Sequence, residues 1–439
     1  VNGTDLLALL PEGWRRVPLK ATCNFFVSNV DKHSFDDELP VRLCNYTDVY
    51  KNDRVSPDME LMAATATPQE IERFHLEVGD VVITKDSESW NDIAVPAYVE
   101  GTADDFVCGY HLAFIRPRKE VLDGRFLFRC LQSRPVALQL ELEATGVTRY
   151  GLPKDSIGLA VLSLPPLPAQ VRIANYLDGE IARIDGLIAE KERMLGLLEE
   201  KRAALISRVV TRGLDPNAPL KPSDQDWLGE VPAHWEVQPI KYLAVVGNGS
   251  TPSVENASYW SDDGYPWLNS SVVNEPLVIK ASRFVTETAL KECHLPKIQP
   301  PAVLVGITGQ GRTRALSSLL GIEATINQHL AFIKPHCDAL HPGYLCHWLG
   351  HAYAFLRSDS DGAGSTKGAI TCEQLANMRI PVPPTGEQLE ICAHIRKSLD
   401  VAEPLQSEIQ NSLNLLMERR AALITAAVTG QIPLEELQP

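Results

Sequence analysis

The sequence lacks concentrated cysteine chemistry. Its nine cysteines are an odd number, scattered without a CxxC pair, which supports neither a disulfide framework nor a zinc ribbon. A reducing, cytoplasmic setting is the expectation that follows. No apolar run approaches the ~18 residues a bilayer span needs, so no membrane association is expected. The stretch Leu6–Leu10 is short and has no basic flank, which does not suit a signal peptide. An excess of positive charge is absent too: 41 Lys and Arg stand against 56 Asp and Glu, a net charge of −15. Charge alone therefore argues against a free-standing nucleic-acid binder, which needs concentrated Lys and Arg. What remains is ordinary globular composition, 44% hydrophobic and 22% charged over 439 residues, enough for two to four domains.

Catalytic and cofactor signatures are likewise missing. GAGSTKGA (Gly362–Ala369) lacks the Gly-Lys-Ser/Thr order of a phosphate loop, and GQGR (Gly309–Arg312) is only the start of a dinucleotide fingerprint. No Asn/Asp-Pro-Pro-aromatic segment occurs. His329, His336, Cys337, His341, Cys346, His347 and His351 crowd one stretch, and His347 and His351 could share a helix face. Spacing for a complete ligand set is absent, so no metal and no catalytic residue are expected.

The chain repeats itself. HLAFIRP (His111–Pro117) returns as HLAFIKP (His329–Pro335), KRAALI (Lys201–Ile206) as RRAALI (Arg419–Ile424), and LSLPPLPAQ (Leu162–Gln170) as IPVPPTGEQ (Ile380–Gln388), all shifted by 218. PEGWRRVPLK (Pro11–Lys20) matches PAHWEVQPIK (Pro232–Lys241) at 221. So long a period indicates a duplicated globular domain and not a solenoid. In each copy, short β-branched runs such as GDVVIT (Gly79–Thr84) and AVLVGIT (Ala302–Thr308) read as strands, and a Pro-rich segment then precedes a helical region.

The helical regions are periodic. In the first, Leu177, Ile181, Ile184, Ile188, Leu195, Leu198, Leu205 and Val209 follow alternating three- and four-residue steps, with Lys191 and Arg202 at skipped steps. The second repeats the register with Ile395, Leu399, Ala402, Ile409, Leu413, Leu416, Leu423 and Ala427, broken by Gln406 and Arg420. Such a repeat predicts helices that pair along their length; the alternative is that each docks on its own globule. Arg202 and Arg420 are candidates either for setting register or for facing a partner's carboxylate. Pro404 is expected in the first turn of the second helix. Thr211–Trp235, rich in Pro, Asp and Gly but carrying Trp227, Leu228 and Val231, reads as an ordered linker.

Polar loops stand at matching places. KDSESWND (Lys85–Asp92) follows the first strand and GQGRTR (Gly309–Arg314) the second, the first loop about six residues longer on this alignment. ATGVTRYG (Ala144–Gly151) and GAGSTKGA align Gly146, Thr148 and Arg149 with Gly364, Thr366 and Lys367. A Gly–Thr–basic loop offers backbone N–H, hydroxyl and charge together, suited to phosphate or base edges. A solvated surface turn is the plain alternative for either loop alone.

The P-x-x-W openings, the LPPLPAQ and VPPTGEQ helix starts, and the junction EEKRAALISRVVTRGLDPNAPLKPSDQDWLGEVPAHWEV (Glu199–Val237) resemble the specificity subunit of type I restriction–modification systems over nearly the whole chain. The resemblance implies an α+β fold: two pseudo-symmetric mixed α/β target-recognition domains separated by a pair of long antiparallel coiled-coil helices. Its boundaries fall at residues 1–168 for the first recognition domain, 169–213 for the first long helix region and 214–231 for the linker. The second recognition domain is 232–386, and 387–439 holds the second helix region and tail.

The resemblance further implies a non-catalytic chain that reads a bipartite, asymmetric site in double-stranded DNA. Its partners would be two methylation subunits and, in the full complex, restriction subunits, which would hold S-adenosylmethionine, ATP and Mg. The chain itself would hold no cofactor. By position, the DNA-binding candidates are Lys85, Trp90, Asn91, Gly146, Thr148, Arg149, Gln310, Arg312, Arg314, Gly364, Ser365, Thr366 and Lys367. Helix packing and partner docking are expected of Ile181, Ile184, Ile188, Leu195, Leu198, Arg202, Leu205, Ile409, Leu413, Leu416, Arg420 and Leu423. The alternatives are a methylation-only or type II-like specificity subunit, or a duplicated coiled-coil adaptor for proteins. Charge resolves by segment: residues 1–169 carry net −8 and residues 232–386 net −1. Firm grip on DNA is therefore expected only inside a complex.

Overall fold

The structure, a computed structural model, describes residues 10–309, 311–336, 338–362 and 368–437. The chain divides into two compact units: Val1–Glu192 with Gln410–Pro439, and Arg193–Ile409. Each unit holds one five-stranded sheet, and the two sheets have the same strand order. In the first unit the order is Cys23–Val27, Leu112–Pro117, Val81–Thr84, Pro96–Val99, Arg54–Val55. In the second it is Ala244–Asn248, Leu330–Pro335, Ala302–Gly306, Ser317–Leu320, Leu277–Val278. Neighbours are antiparallel except at the last pair, which is parallel in both.

The central strands are near-continuous apolar runs because both faces are covered. Val81, Ile83, Ala113 and Ile115 face a helical core that includes Phe126, Leu127 and Leu131. Val82, Leu112 and Phe114 face a second core built on the smaller sheet of Met62–Ala66, Leu39–Cys44 and Phe106–Cys108. Val303, Val305, Ala331 and Ile333 repeat the first arrangement against Tyr344, Leu345 and Trp348. Leu304 and Leu330 repeat the second.

Both Pro-rich motifs perform one task. The Gln170 side-chain amide donates to the carbonyls of Val121 and Pro165, and its oxygen accepts from Asp123 N–H at 2.9 Å. Gln388 donates to Ala339 and Pro383 and accepts from His341 N–H at 2.7 Å. Each glutamine is fully buried, so its bonds tie the start of a long helix to the start of a globule helix.

The long helices are Leu167–Arg212 and Thr385–Val428. Pro404 lies inside the second, which corrects the expectation that it opens that helix. The helix instead starts just after Pro383 and Pro384. Pro404 is exposed, so the carbonyl one turn earlier can bond water. Leu177, Ile181, Ile184, Val209, Ile395, Ile409, Leu413 and Ala427 are buried, and Ile188, Leu195, Leu198, Leu205, Leu399, Ala402, Leu416 and Leu423 are half-buried. The seam register therefore holds throughout.

Pairing and docking both occur. In the first unit, Ile173, Leu177 and Ile181 from the start of one helix share a core with Ile424, Ala427 and Val428 from the end of the other. In the second, Val209 and Val210 share a core with Ile391 and Ile395. The helices are thus antiparallel, and each globule takes the start of its own copy's helix and the end of the other's. The P-x-x-W tryptophans seal this exchange. A Cβ on Gly430, just past the second helix, would meet Pro11 at 2.6 Å and Trp14 at 3.4 Å. One on Gly213 would meet Trp235 at 3.2 Å. Both glycines have positive φ, +75° and +72°, as helix C-caps require.

The linker is ordered, as its apolar residues predict. Leu220–Pro222 pairs with Glu230–Pro232, and the Trp227 ring stacks on Phe355 at 4.3 Å. No described helix is long and apolar enough to cross a membrane.

Candidate nucleic-acid interface

The two loops singled out in the first copy come together. Thr145–Gly146 and Tyr150–Gly151 form a hairpin, and its second strand pairs with Asp86–Ser87, inside KDSESWND. Gly146 has φ +142°, and a Cβ there would fall 2.0 Å from the Arg149 carbonyl, so this tight hairpin requires glycine. Leu152 N–H donates to the Lys85 carbonyl at 2.9 Å and locks the hairpin to the end of the sheet.

The second copy makes the same junction. Lys85 N–H bonds the His111 carbonyl, and Ile307 N–H bonds the His329 carbonyl. Leu152 to Lys85 is matched by Ile370 to Ile307, and the Asp86–Gly151 pair by the Thr308–Ala369 bridge. These pairs place Lys85 opposite Ile307 and Asp86 opposite Thr308. Ala94 and Ala315 also correspond: both have positive φ, 60° and 71°, and each N–H returns to the preceding strand, at Thr84 and Gly306. The connecting segments 85–95 and 307–316 therefore differ by one residue, which corrects the six-residue difference read from sequence. Aligning the two threonines had shifted the strands by two residues.

Individual candidates fare differently. Lys85 is largely covered, with Nζ 3.9 Å from Asp86 and 5.0 Å from the centre of the Tyr110 ring. Trp90 is 43% exposed, and Asn91, Thr148 and Arg149 are exposed. Asn91 accepts from Ser89 Oγ at 2.6 Å. Arg312 is exposed, its carbonyl held by Tyr353 Oη at 2.9 Å. Arg314 is only 2% exposed, which removes it from the surface set. It stands where the first copy has buried Ile93, one residue before the matched alanine. Gln310, Gly364, Ser365, Thr366, Lys367 and, from the His/Cys stretch, Cys337 lie outside the described residues.

Sequence reasoning missed several neighbours of the first loop. His111 Nδ1 lies 2.5 Å from Asp86 Oδ2, and Arg149 Nη2 lies 3.4 Å from the same ring nitrogen. Tyr110 is exposed beside His111, with ring centres 4.1 Å apart. Tyr50 Oη donates to Asp92 at 2.8 Å; that bond, and the Asp92 charge, raise the Tyr50 phenol pKa. In the second unit, His329 Nδ1 lies 2.7 Å from Thr308 Oγ1. The signal was present in the HLAFI repeat, whose first residue is histidine in both copies.

The units differ behind this surface. In the first, Asp178 receives Arg129 at 2.8 Å and Arg54 and Arg125 at 3.4 Å, while Arg420 pairs with Asp185 at 2.9 Å and with Asp53. Arg420 thus finds its carboxylates within its own chain. In the second, Pro276 and Leu277 occupy the places of Asp53 and Arg54. A groove of about 1340 Å³ opens there between globule and helices, lined by Arg202, His341, His347, Cys392 and Arg396 among others. Burial, then Arg202 and Arg396, lowers the His347 pKa to about 4.

The chain is thus a duplicated α/β globule with one polar junction per copy and a pair of long helices. It is similar over most of its length to specificity subunits of type I restriction–modification systems. The family model "Type I restriction modification DNA specificity domain" matches residues 232–415. The chain is similar to a putative type I restriction enzyme MjaX specificity subunit of Methanocaldococcus jannaschii, 21% identical over 83% of this chain and 81% of the relative. It is also similar to the type I restriction enzyme EcoBI specificity subunit of Escherichia coli, 21% identical over 72% of this chain and 68% of that one. Among solved structures, a chain from work on assembly and conformational transition of the type I R-M system has the same fold. Its TM-score is 0.71 at 19% identity, over 97% of this chain and 100% of that one. The HsdS subunit from Thermoanaerobacter tengcongensis has TM-score 0.51 at 19% identity, over 96% and 98%.

Proposed function

We propose that this chain is the DNA-reading subunit of a type I complex and recognises a two-part site, one half per unit. The observation that carries the reading is the matched junction. In each copy, the loop after the central strand and the segment before the Pro-rich motif are bonded together at one end of the same sheet, while their side chains differ. A common frame with different side chains suits two different half-sites. Exposed Thr148, Arg149, Asn91 and Arg312 are the contacts assigned to it, with Gln310, Gly364, Ser365, Thr366 and Lys367 kept on sequence alone.

In this proposal the chain catalyses nothing. Two methylation subunits dock on its helices and restriction subunits join them for cleavage, and S-adenosylmethionine, ATP and Mg act in those partners. The net charge of −15 supports DNA binding within such a complex and not by the chain alone. The setting is cytoplasmic.

The helix pair sets the distance between half-sites. One heptad adds roughly 10 Å of helix, about three base pairs of DNA. Inserting a heptad into both long helices and sequencing methylated adenines in a host with the methylation subunit should lengthen the unread spacer by about that amount. An unchanged methylated sequence would refute the helix role. Absence of any salt-dependent DNA affinity in the assembled complex would favour a protein adaptor instead.

A further inference from the structure

The geometry points to His111 and His329 as matched base-reading residues, each ring oriented through Nδ1, with His111 offering Nε2 to the DNA and His329 offering its ring edge together with Gln328. This rests on the DNA-reading proposal and assigns residues within it. Both histidines immediately precede the equivalent strand of their sheets, and the carbonyl of each accepts the N–H of the first loop residue, Lys85 or Ile307. Both place Nδ1 on the side chain of the next loop residue: Asp86 at 2.5 Å and Thr308 at 2.7 Å. That residue in turn pairs with a residue of the segment before the Pro-rich motif, Gly151 or Ala369. The ring is therefore pinned where three segments meet.

The pinning has a chemical consequence. The Asp86 carboxylate only accepts and lies much nearer to Nδ1 than the Arg149 guanidinium, 2.5 Å against 3.4 Å, so His111 donates from Nδ1 to Asp86 and Nε2 is the remaining polar atom of its ring. In the second unit a chain of bonds orients the ring. Thr251 Oγ1 donates to Gln328 Oε1 at 2.6 Å, and Gln328 Nε2 lies 3.4 Å from His329 Nε2. The residue before each histidine differs, Tyr110 against Gln328, and both are exposed. A glutamine amide in this position can address an adenine edge, which a tyrosine cannot do in the same way. One pivot with different neighbours is how one frame yields unlike half-sites.

Base edges fit this point better than phosphate. In the first unit, a phosphate oxygen at His111 would meet the Asp86 carboxylate as well as the Arg149 and Lys85 cations that lie beside it. A base edge brings no repulsion from that carboxylate, and a carboxylate can accept from cytosine N4.

The test uses the full chain assembled with its methylation subunits, with methylated adenines mapped by sequencing. His111→Asn is the informative variant: asparagine keeps a donor near the Nδ1 position, tolerates the φ of +72°, and removes Nε2. Preference at one position of one half-site should fall roughly tenfold, with the other half-site and the melting temperature unchanged. His329→Asn should do the same to the other half-site alone. Binding to a randomised duplex library at two salt concentrations gives a second readout. An unchanged motif, loss at both half-sites, or uniform weakening with a shallower salt dependence would each overturn the assignment, the last revealing a phosphate contact. A wild-type complex that reads no two-part motif would instead refute the DNA-reading proposal itself.

Discussion

Asp178 holds three guanidinium groups, and its removal tests whether the first unit depends on that cluster. Arg129 is the critical partner: its side chain is 4% exposed and bonds Asp178 at 2.8 Å, and burial already lowers its pKa. Arg54 and Arg125 are 41% and 31% exposed at 3.4 Å, so solvent screens them and each contributes little. Breaking one partner of a buried pair costs roughly 3–5 kcal/mol. Asp178 is 23% exposed, so for Asp178→Asn the expectation falls to about 2–3 kcal/mol. At roughly 2–4 °C per kcal/mol for a unit of this size, the first unit's melting transition should drop by about 5–10 °C. Calorimetry or urea titration of the full chain would measure it. The control is Arg396→Ala at the equivalent helix position in the second unit, exposed and expected to change stability by less than ~0.5 kcal/mol. Adding Arg129→Met to Asp178→Asn should recover part of the loss, because the buried charge is gone. A change under ~0.5 kcal/mol for Asp178→Asn, or one equal to that of Arg396→Ala, would refute the reasoning.

Other outcomes follow from single residues. His347, with its pKa lowered to about 4 in the fold against an ordinary 6.5, favours the native state in its neutral form. That stability is complete above pH 6.5 and is lost as pH falls toward 4, at most about 3 kcal/mol in all; His347→Gln should flatten the urea midpoint against pH in that window. Gln170→Ala or Gln388→Ala leaves a buried N–H and two carbonyls without their partner and should cost roughly 2–3 kcal/mol, seen as a lower midpoint with unchanged slope. Pro404→Ala restores an N–H inside an exposed helix and should raise thermal stability by up to about 3 kcal/mol. A lower melting temperature would show that packing needs a proline at this place.

Several features were legible without coordinates. The duplication was, because the same core contacts recur in both copies: HLAFI supplies a central strand twice, and the motif glutamine makes the same three bonds twice. The helix seam was legible because burial along a paired helix is periodic, and every predicted seam apolar residue is at least half-buried. Pro404 does not mark a helix start, because a lone proline is a weaker signal than the Pro383-Pro384 pair, which the bonds of Gln388 hold in place.

The candidate site was only partly legible. Its two loops were named separately, about 60 residues apart, but strand pairing between Asp86 and Gly151 is a long-range contact with no local signature. Arg314 shows the same limit. In sequence it is one of several basic residues in a polar loop; in the fold it occupies the buried place of Ile93. By itself, the sequence determined what local period and internal repetition encode: two copies, paired helices and an ordered linker. Tertiary structure alone decided which residues share a surface, that each globule takes the end of the other copy's helix, and that Asp53 and Arg54 clasp one unit where Pro276 and Leu277 leave a groove in the other. Those outcomes depend on contacts between residues remote in the chain, which no pattern along it records.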